Sequence, residues 1–173
     1  MTSFITFLTL LSNIAFVMVV LAFAFDSSSR KLIQNFVHKY PLELIFVISS
    51  GALVFSVWYS NVINFPPCEL CWVQRLFMYP QVLLSLLAIH KKDKSIIGYL
   101  FPMTLLGGFV AFYHSLVHWG VGVGILACTS VGAECAKVYV LEYGYITIPF
   151  MALSSFVYLF AVSLVYYKFK PQG

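Results

Sequence analysis

Five long apolar stretches alternate with shorter polar connections along the chain. They cover approximately residues 4–25, 42–63, 72–89, 96–117 and 146–167. A membrane hydrocarbon core about 30 Å thick requires roughly 20 helical residues, and each stretch is close to that length. The pattern therefore predicts an all-α integral membrane protein with five transmembrane helices.

The composition excludes a water-soluble globular domain. Hydrophobic residues make up 61% of the 173 residues and charged residues only 9%, whereas soluble domains are about half apolar and about a quarter charged. The net charge is +4, and the ten basic residues occur in small groups. Such groups are typical of topology signals in membrane proteins, so no nucleic-acid partner is expected.

The basic residues predict the orientation of the chain. Eight of the ten lie in three segments that the positive-inside rule assigns to the cytoplasm: Arg30, Lys31, Lys39, Lys91, Lys92, Lys94, Lys168 and Lys170. The amino terminus and the connections 64–71 and 118–145 are then outside, and the carboxyl terminus is cytoplasmic. Residues 1–25 have no basic n-region and too long an apolar run for a secretory signal peptide, so they are interpreted as a retained span.

All four cysteines lie in or beside the predicted outward segments, where disulfides persist: Cys68, Cys71, Cys128 and Cys135. Cys68 and Cys71 form a C-x-x-C motif directly after two prolines, which predicts that they open the third span. The positive end of that helix favours a thiolate. Arg75, four residues after Cys71, lies on the same helical face one turn deeper. The pattern favours thiol–disulfide exchange over an inert structural role.

Other interpretations of these residues stay open. An arginine within a membrane points to function because it needs a partner there, but Arg75 could also extend to the nearby interface. Taken alone, Cys128 and Cys135 are typical of a loop disulfide. Together with the C-x-x-C motif they could form a second station in a relay of two-electron exchanges. Four cysteines could also bind zinc or an iron–sulfur cluster, but the six-residue gap in the second pair fits such sites poorly, and no metal is predicted.

A specific string surrounds the first cysteine pair. The sequence CELCWVQR at 68–75, followed by MYP at 78–80, resembles the signature of the DsbB family of disulfide bond formation proteins, in particular its short-loop branch. Tyr113 and His114 late in the fourth span, the second cysteine pair in the next outward loop, and the sequence GYITIP before the last span extend the likeness. It covers about residues 42–167.

The resemblance implies a four-helix oxidoreductase of the bacterial cytoplasmic membrane, with redox loops that face the periplasm or the exterior. Such a protein reoxidises a thioredoxin-like (DsbA-like) dithiol oxidase and passes the electrons to a membrane quinone, either ubiquinone or menaquinone. By resemblance, Cys68 and Cys71 are the catalytic pair next to the quinone. Cys128 and Cys135 are the catalytic pair that meets the partner.

Two further residues are candidates for the quinone site. Arg75 matches the family arginine that supports quinone chemistry, and Cys71, nearer to it, is expected to hold the thiolate that reduces the quinone. His114 and His118 share one helical face near the outer end of the fourth span. His114 is the candidate to donate a hydrogen bond to the quinone or to relay its protons, and a packing or interfacial role is the alternative.

The resemblance also divides the chain. Residues 1–41 form an extra amino-terminal span with its cytoplasmic connection, 42–167 form the four-helix bundle with its outward redox loops, and 168–173 form a cytoplasmic tail. The extra span lies outside the family pattern, so the resemblance assigns it no role. The loop between the second pair of cysteines is also much shorter than in long-loop members.

Two rival functions remain at this point. The vitamin K epoxide reductase class shares a membrane bundle, a quinone-like ligand and two cysteine pairs. Its loop cysteines precede the C-x-x-C motif, whereas here Cys68 and Cys71 come first. A non-catalytic membrane component with two structural disulfides is the other rival, and it predicts no redox phenotype when Cys128 and Cys135 are replaced.

Overall fold

A computed structural model describes residues 2–120 and 137–169 of the chain. Helices account for most of these residues: α1 (Thr2–Phe25), α2 (Ser27–Lys39), α3 (Pro41–Asn61), α4 (Glu69–Lys91), a 3-10 turn (Lys94–Ile96), α5 (Ile97–His118) and α6 (Ile148–Lys168). Five of the six α-helices, all but α2, are long and apolar enough to cross a membrane. The predicted all-α membrane protein with five spans is confirmed.

The connection 26–41, predicted only as a cytoplasmic segment, contains the amphipathic helix α2. The Asp26 carboxylate caps this helix by accepting hydrogen bonds from the backbone N–H groups of Ser28 and Ser29, each at 3.0 Å. Its apolar residues recur at helical spacing as the pairs Leu32–Ile33 and Phe36–Val37, and basic residues such as Arg30 lie toward both ends of the helix. This pattern is typical of a helix that lies in a membrane interface rather than across it.

Helices α3, α4, α5 and α6 pack around one apolar core. Its buried members are Leu42, Ile45, Met78, Ala88, Ile97, Leu100, Ala111, Phe156 and Leu159. Gly107 lets α5 and α6 approach closely, because a Cβ atom there would lie 2.4 Å from Cε1 of the Phe156 ring. Helix α1 packs outside this bundle, against α2 and α6.

Buried hydroxyl groups in the bundle are satisfied mainly by their own helices. Ser49 donates to the carbonyl of Ile45 at 2.7 Å, and Thr104 donates to that of Leu100 at 3.0 Å. The Thr104 hydroxyl also lies 3.0 Å from Oε1 of Gln81, which joins α5 to α4. Such bonds matter within a membrane because no water competes for the polar groups.

A tight turn leads the chain into α6. Glu142 and Ile146 pair through their backbone groups, with the Glu142 N–H donating to the Ile146 carbonyl at 3.1 Å. Tyr143 and Gly144 between them both have positive φ, 55° and 77°. Thr147 then caps α6 by accepting from a backbone N–H group. The turn places the Glu142 side chain beside the start of α1.

Candidate active site

The C-x-x-C motif occupies the beginning of α4, as predicted. Cys68 is the N-cap residue of the helix and is buried, and Cys71 lies in the first turn. The Sγ atoms of Cys68 and Cys71 lie 3.1 Å apart, within hydrogen-bonding distance. The two sulfurs are therefore close enough for exchange chemistry.

His114 reaches this motif from α5. Its ring is 1% exposed, and its Nε2 atom lies 3.6 Å from the Cys68 sulfur. The side-chain amide of Gln74 lies 3.0 Å from Nδ1 and fixes the orientation of the ring. The hydrogen bond with the Cys71 thiol, and then the contact with His114, hold the pKa of Cys68 well below its usual range. His114 thus contacts Cys68, while Arg75, the residue expected to favour a thiolate at Cys71, lies on the other side of the pair and binds α3.

Arg75 is buried in the bundle and binds α3. Its Nε donates to the Ser56 hydroxyl at 3.0 Å, and its terminal nitrogen donates to the Ser56 carbonyl at 2.9 Å and to the Ser60 hydroxyl at 3.0 Å. The guanidinium also lies over the Trp72 ring, 5.2 Å from its centroid. These contacts hold the charge within the protein, beside the dithiol.

A cavity of about 410 Å³ lies next to these residues. Its volume falls within the range of roughly 300–1,000 Å³ that is typical of small-molecule sites. Cys68, Cys71, Arg75, His114 and His118 line it together with apolar side chains from α1, α3, α4 and α6. The structure thus brings both predicted cofactor-binding residues, and the first cysteine pair, to one cavity.

The same cluster offers three donors to a metal ion. Ligand atoms of Cys68, Cys71 and His114 all lie within 4.8 Å of one another. The spacing of the cysteines along the chain argued against a metal, but it could not reveal that a histidine 43 residues beyond Cys71 joins them. Three such donors are one fewer than a closed structural zinc site uses.

Cys128 and Cys135 lie outside the described residues, and some contacts at the site were not predicted. Gln74 belongs to the string that carries the family resemblance, but the sequence alone assigns it no role. Ser56 and Ser60, the partners of Arg75, were also missed. Their spacing of four residues on one face of α3 was the available signal, because a buried arginine requires polar partners.

A membrane-spanning helical bundle with a close cysteine pair at the start of one span is the arrangement that thiol–disulfide exchange in a membrane requires. The family model of the disulfide bond formation protein DsbB matches residues 39–166. The chain therefore belongs to the DsbB family, as its sequence predicted. Helix α1 and nearly all of α2 lie outside the matched range.

Curated relatives from bacilli agree with this family. Disulfide bond formation protein C of Bacillus subtilis is 39% identical over 112 residues, which are 64% of this chain and 80% of the relative. The probable disulfide formation protein of Oceanobacillus iheyensis is 41% identical over 128 residues, 72% of this chain and 86% of the relative. Probable disulfide formation protein C 1 of Bacillus anthracis is 34% identical over 137 residues, 76% of this chain and 95% of the relative. No solved structure matches the chain.

Family membership and the five spans establish the coarse function. The protein is a bacterial, multi-pass protein of the cytoplasmic membrane with a role in disulfide bond formation, and its class is that of the oxidoreductases.

Proposed function

We propose that the protein oxidises a thioredoxin-like (DsbA-like) dithiol partner outside the cytoplasm and passes the electrons to a membrane quinone, ubiquinone or menaquinone. The observation that carries the proposal is the convergence of a dithiol, a buried histidine and a buried arginine on one cavity. Apolar walls suit a prenylated ring, and the guanidinium of Arg75 suits one of its carbonyl oxygens. Arg75 and His114 would therefore hold the quinone beside Cys68 and Cys71.

The partner reacts first with the loop pair. A partner thiolate attacks the Cys128–Cys135 disulfide at Cys128, so that a disulfide joins the two proteins and Cys135 leaves as a thiolate. The second thiolate of the partner then attacks the bridging partner sulfur. The partner leaves as a disulfide, and Cys128 and Cys135 remain as thiols.

The loop pair then reduces the pair at α4 by the same chemistry. Cys135 attacks the Cys68–Cys71 disulfide at Cys68, and Cys71 leaves as a thiolate. Cys128 attacks Cys135, which restores the loop disulfide and releases Cys68. Two electrons have then moved to the dithiol form, in which Cys71 and Cys68 share a hydrogen bond.

The final step returns this dithiol to the disulfide with the loss of two electrons and two protons. A bound quinone supplies the oxidising power, since it takes up two electrons and two protons per turnover. Arg75 provides a fixed positive charge beside the cavity and stabilises negative charge that develops there. His114 Nε2, 3.6 Å from the Cys68 sulfur, would exchange a proton with it. The direction follows from the potentials, because each 30 mV of difference is worth about 1.4 kcal/mol for a two-electron couple.

The decisive experiment mixes the purified protein with a reduced thioredoxin-like partner and a quinone, and follows quinone reduction by absorbance. We expect the wild-type protein to reduce the quinone and Cys71→Ser to be inactive. Val73→Ser is the matched control, because it places the same side chain on α4 at an exposed position. An inactive wild-type protein, or equal rates for wild type and Cys71→Ser, would overturn the proposal. Equal rates would also favour the rival with structural disulfides.

A trapping experiment assigns the entry cysteine. Cys135→Ser is expected to accumulate a mixed disulfide between Cys128 and the partner, visible as a heavier band on a non-reducing gel. If trapping requires Cys128→Ser instead, the partner attacks Cys135 and the order of attack is reversed.

A further inference from the structure

Helix α1 turns one face toward the cavity beside the dithiol. Ile5, Leu8, Thr9 and Ser12 all line this cavity. Their spacing of i, i+3, i+4 and i+7 is that of one side of an α-helix. Leu11, in the same part of α1, is exposed and does not line the cavity.

Specific hydrogen bonds fix this part of α1 to the rest of the protein. The Ser3 hydroxyl donates to Oε1 of Glu142 at 3.0 Å, and the fully buried Thr6 hydroxyl donates to the other carboxylate oxygen. Farther along α1, the Tyr158 hydroxyl of α6 donates to the side-chain oxygen of Asn13. The cavity-lining face therefore has a defined position, set at one end by the turn before α6 and at the other by α6 itself.

This face of α1 presents a mainly apolar surface to the cavity. The hydroxyl of Thr9 donates to the carbonyl of Ile5 at 3.0 Å, and that of Ser12 donates to the carbonyl of Thr9 at 2.8 Å. Because these protons are used within the helix, the face offers a quinone carbonyl no free donor. It suits hydrocarbon instead, in contrast to the side of the cavity that carries Arg75.

We propose that α1 is a further wall of the quinone cavity and that its inward face, formed by Ile5, Leu8, Thr9 and Ser12, binds the prenyl tail. The inference rests on the proposed function, since it requires that the cavity binds a quinone. It assigns a role to a span that lies outside the range matched by the family. Helix α1 then determines which quinone tails the protein accepts, while the dithiol, Arg75 and His114 act on the ring.

The test compares two leucines of α1 that have similar exposure. Leu8 is 37% exposed and lines the cavity, whereas Leu11 is 47% exposed and does not. Leu8→Trp and Leu11→Trp therefore add the same bulk to the same helix on different sides. The dissociation constants of two quinones, one with a single prenyl unit and one without a tail, are measured by quenching of tryptophan fluorescence.

Leu8→Trp is expected to raise the Kd of the prenylated quinone at least about tenfold, the size of effect that overpacking produces. The Kd of the tail-less quinone should change much less, and Leu11→Trp should bind both as the wild type does. The milder Leu8→Ala, which only removes contact with the tail, should weaken the prenylated quinone about fivefold. This second variant keeps the test valid if the tryptophan variant does not fold.

Three results would overturn the inference: unchanged binding in both Leu8 variants, equal weakening in Leu8→Trp and Leu11→Trp, or equal weakening of both quinones by Leu8→Trp. If the wild-type protein binds both quinones and the Leu8 variants bind them equally well, the role of α1 is refuted but the proposed function is not. A wild-type protein that binds no quinone would refute the proposed function itself, and with it the role of α1.

Discussion

His114 of α5 contacts Cys68 at the beginning of α4, with 3.6 Å between its Nε2 atom and the cysteine sulfur. The two residues are 46 positions apart in the chain, and Gln74 holds the histidine ring in place from α4. Cys68 thus receives hydrogen bonding from two directions, from the Cys71 thiol and from His114. This arrangement stabilises negative charge on its sulfur.

The pKa of Cys68 can be tested by the pH dependence of its alkylation, followed on the Cys68 peptide by mass spectrometry. In the reduced wild-type protein the midpoint of the rate should lie well below the usual pKa of a free cysteine, which is about 8.5. Because the Cys71 thiol is the larger cause, Cys71→Ala should raise this midpoint more than His114→Leu does. Each unit of increase lowers the thiolate fraction at acidic pH about tenfold.

The sign of this effect is fixed by the direction of the shift. A lowered pKa keeps Cys68 as a thiolate at neutral pH and into acidic solution, so the variants should lose reactivity first in acidic solution. His90→Leu, at an exposed position in the last turn of α4, is the control and should leave the midpoint unchanged. A midpoint that stays constant in both site variants would contradict the geometry.

Arg75 is expected to act through its charge and through its fixed position on Ser56 and Ser60. Arg75→Met should lower kcat for quinone reduction by about 10²–10³, the cost of losing one preorganised donor to developing charge. Arg75→Lys should recover only part of this rate, because an ammonium group cannot reproduce the guanidinium contacts. Ser60→Ala removes one contact and should cost less than about tenfold. Steady-state kinetics at saturating partner measure all three, and a wild-type kcat in Arg75→Met would refute the assigned role.

The spans could be predicted because hydropathy over about 20 residues needs no knowledge of packing. Their ends agree with the structure to within about one helical turn. Helix α2 was missed because its apolar residues occur only as two short pairs separated by polar residues, so no long apolar stretch marks it. Only a search for helical periodicity in 26–41 would have found it.

The site was predictable in part. The proximity of Cys68, Cys71 and Arg75 could be predicted, because their spacing along the chain brings them together on one helix. The contact of His114 with Cys68 depends on how α4 and α5 pack, and no local pattern determines that. The position of α1 against the bundle could not be predicted from a local pattern either. The repeated small polar residues in the first half of α1 indicate only that one side of it faces protein rather than lipid.

Gln81 and Thr104 are expected to couple α4 and α5 energetically. The Thr104 hydroxyl lies 3.0 Å from Oε1 of Gln81, and both residues are buried. In a double-mutant cycle with Gln81→Leu and Thr104→Val, the coupling should be about 0.6–1.7 kcal/mol, the range found for such bonds between membrane helices. Unfolding in detergent measures it. Ser49→Ala, which loses a bond within its own helix, should show no coupling to Thr104→Val, and equal coupling in both pairs would refute a specific link.

Gly107 and Gly108 are adjacent on α5 and should differ sharply when each is replaced by alanine. A Cβ atom at Gly107 would lie 2.4 Å from the Phe156 ring, whereas one at Gly108 would lie 3.5 Å from Cβ of Phe156, an ordinary contact. Gly107→Ala should therefore lower the free energy of unfolding by about 1–3 kcal/mol through overpacking. Gly108→Ala should be neutral or stabilising, because alanine favours a helix by up to about 1 kcal/mol over glycine. Adding Phe156→Leu should restore part of the loss in Gly107→Ala, and equal stability of the two alanine variants would show that α5 and α6 do not meet at Gly107.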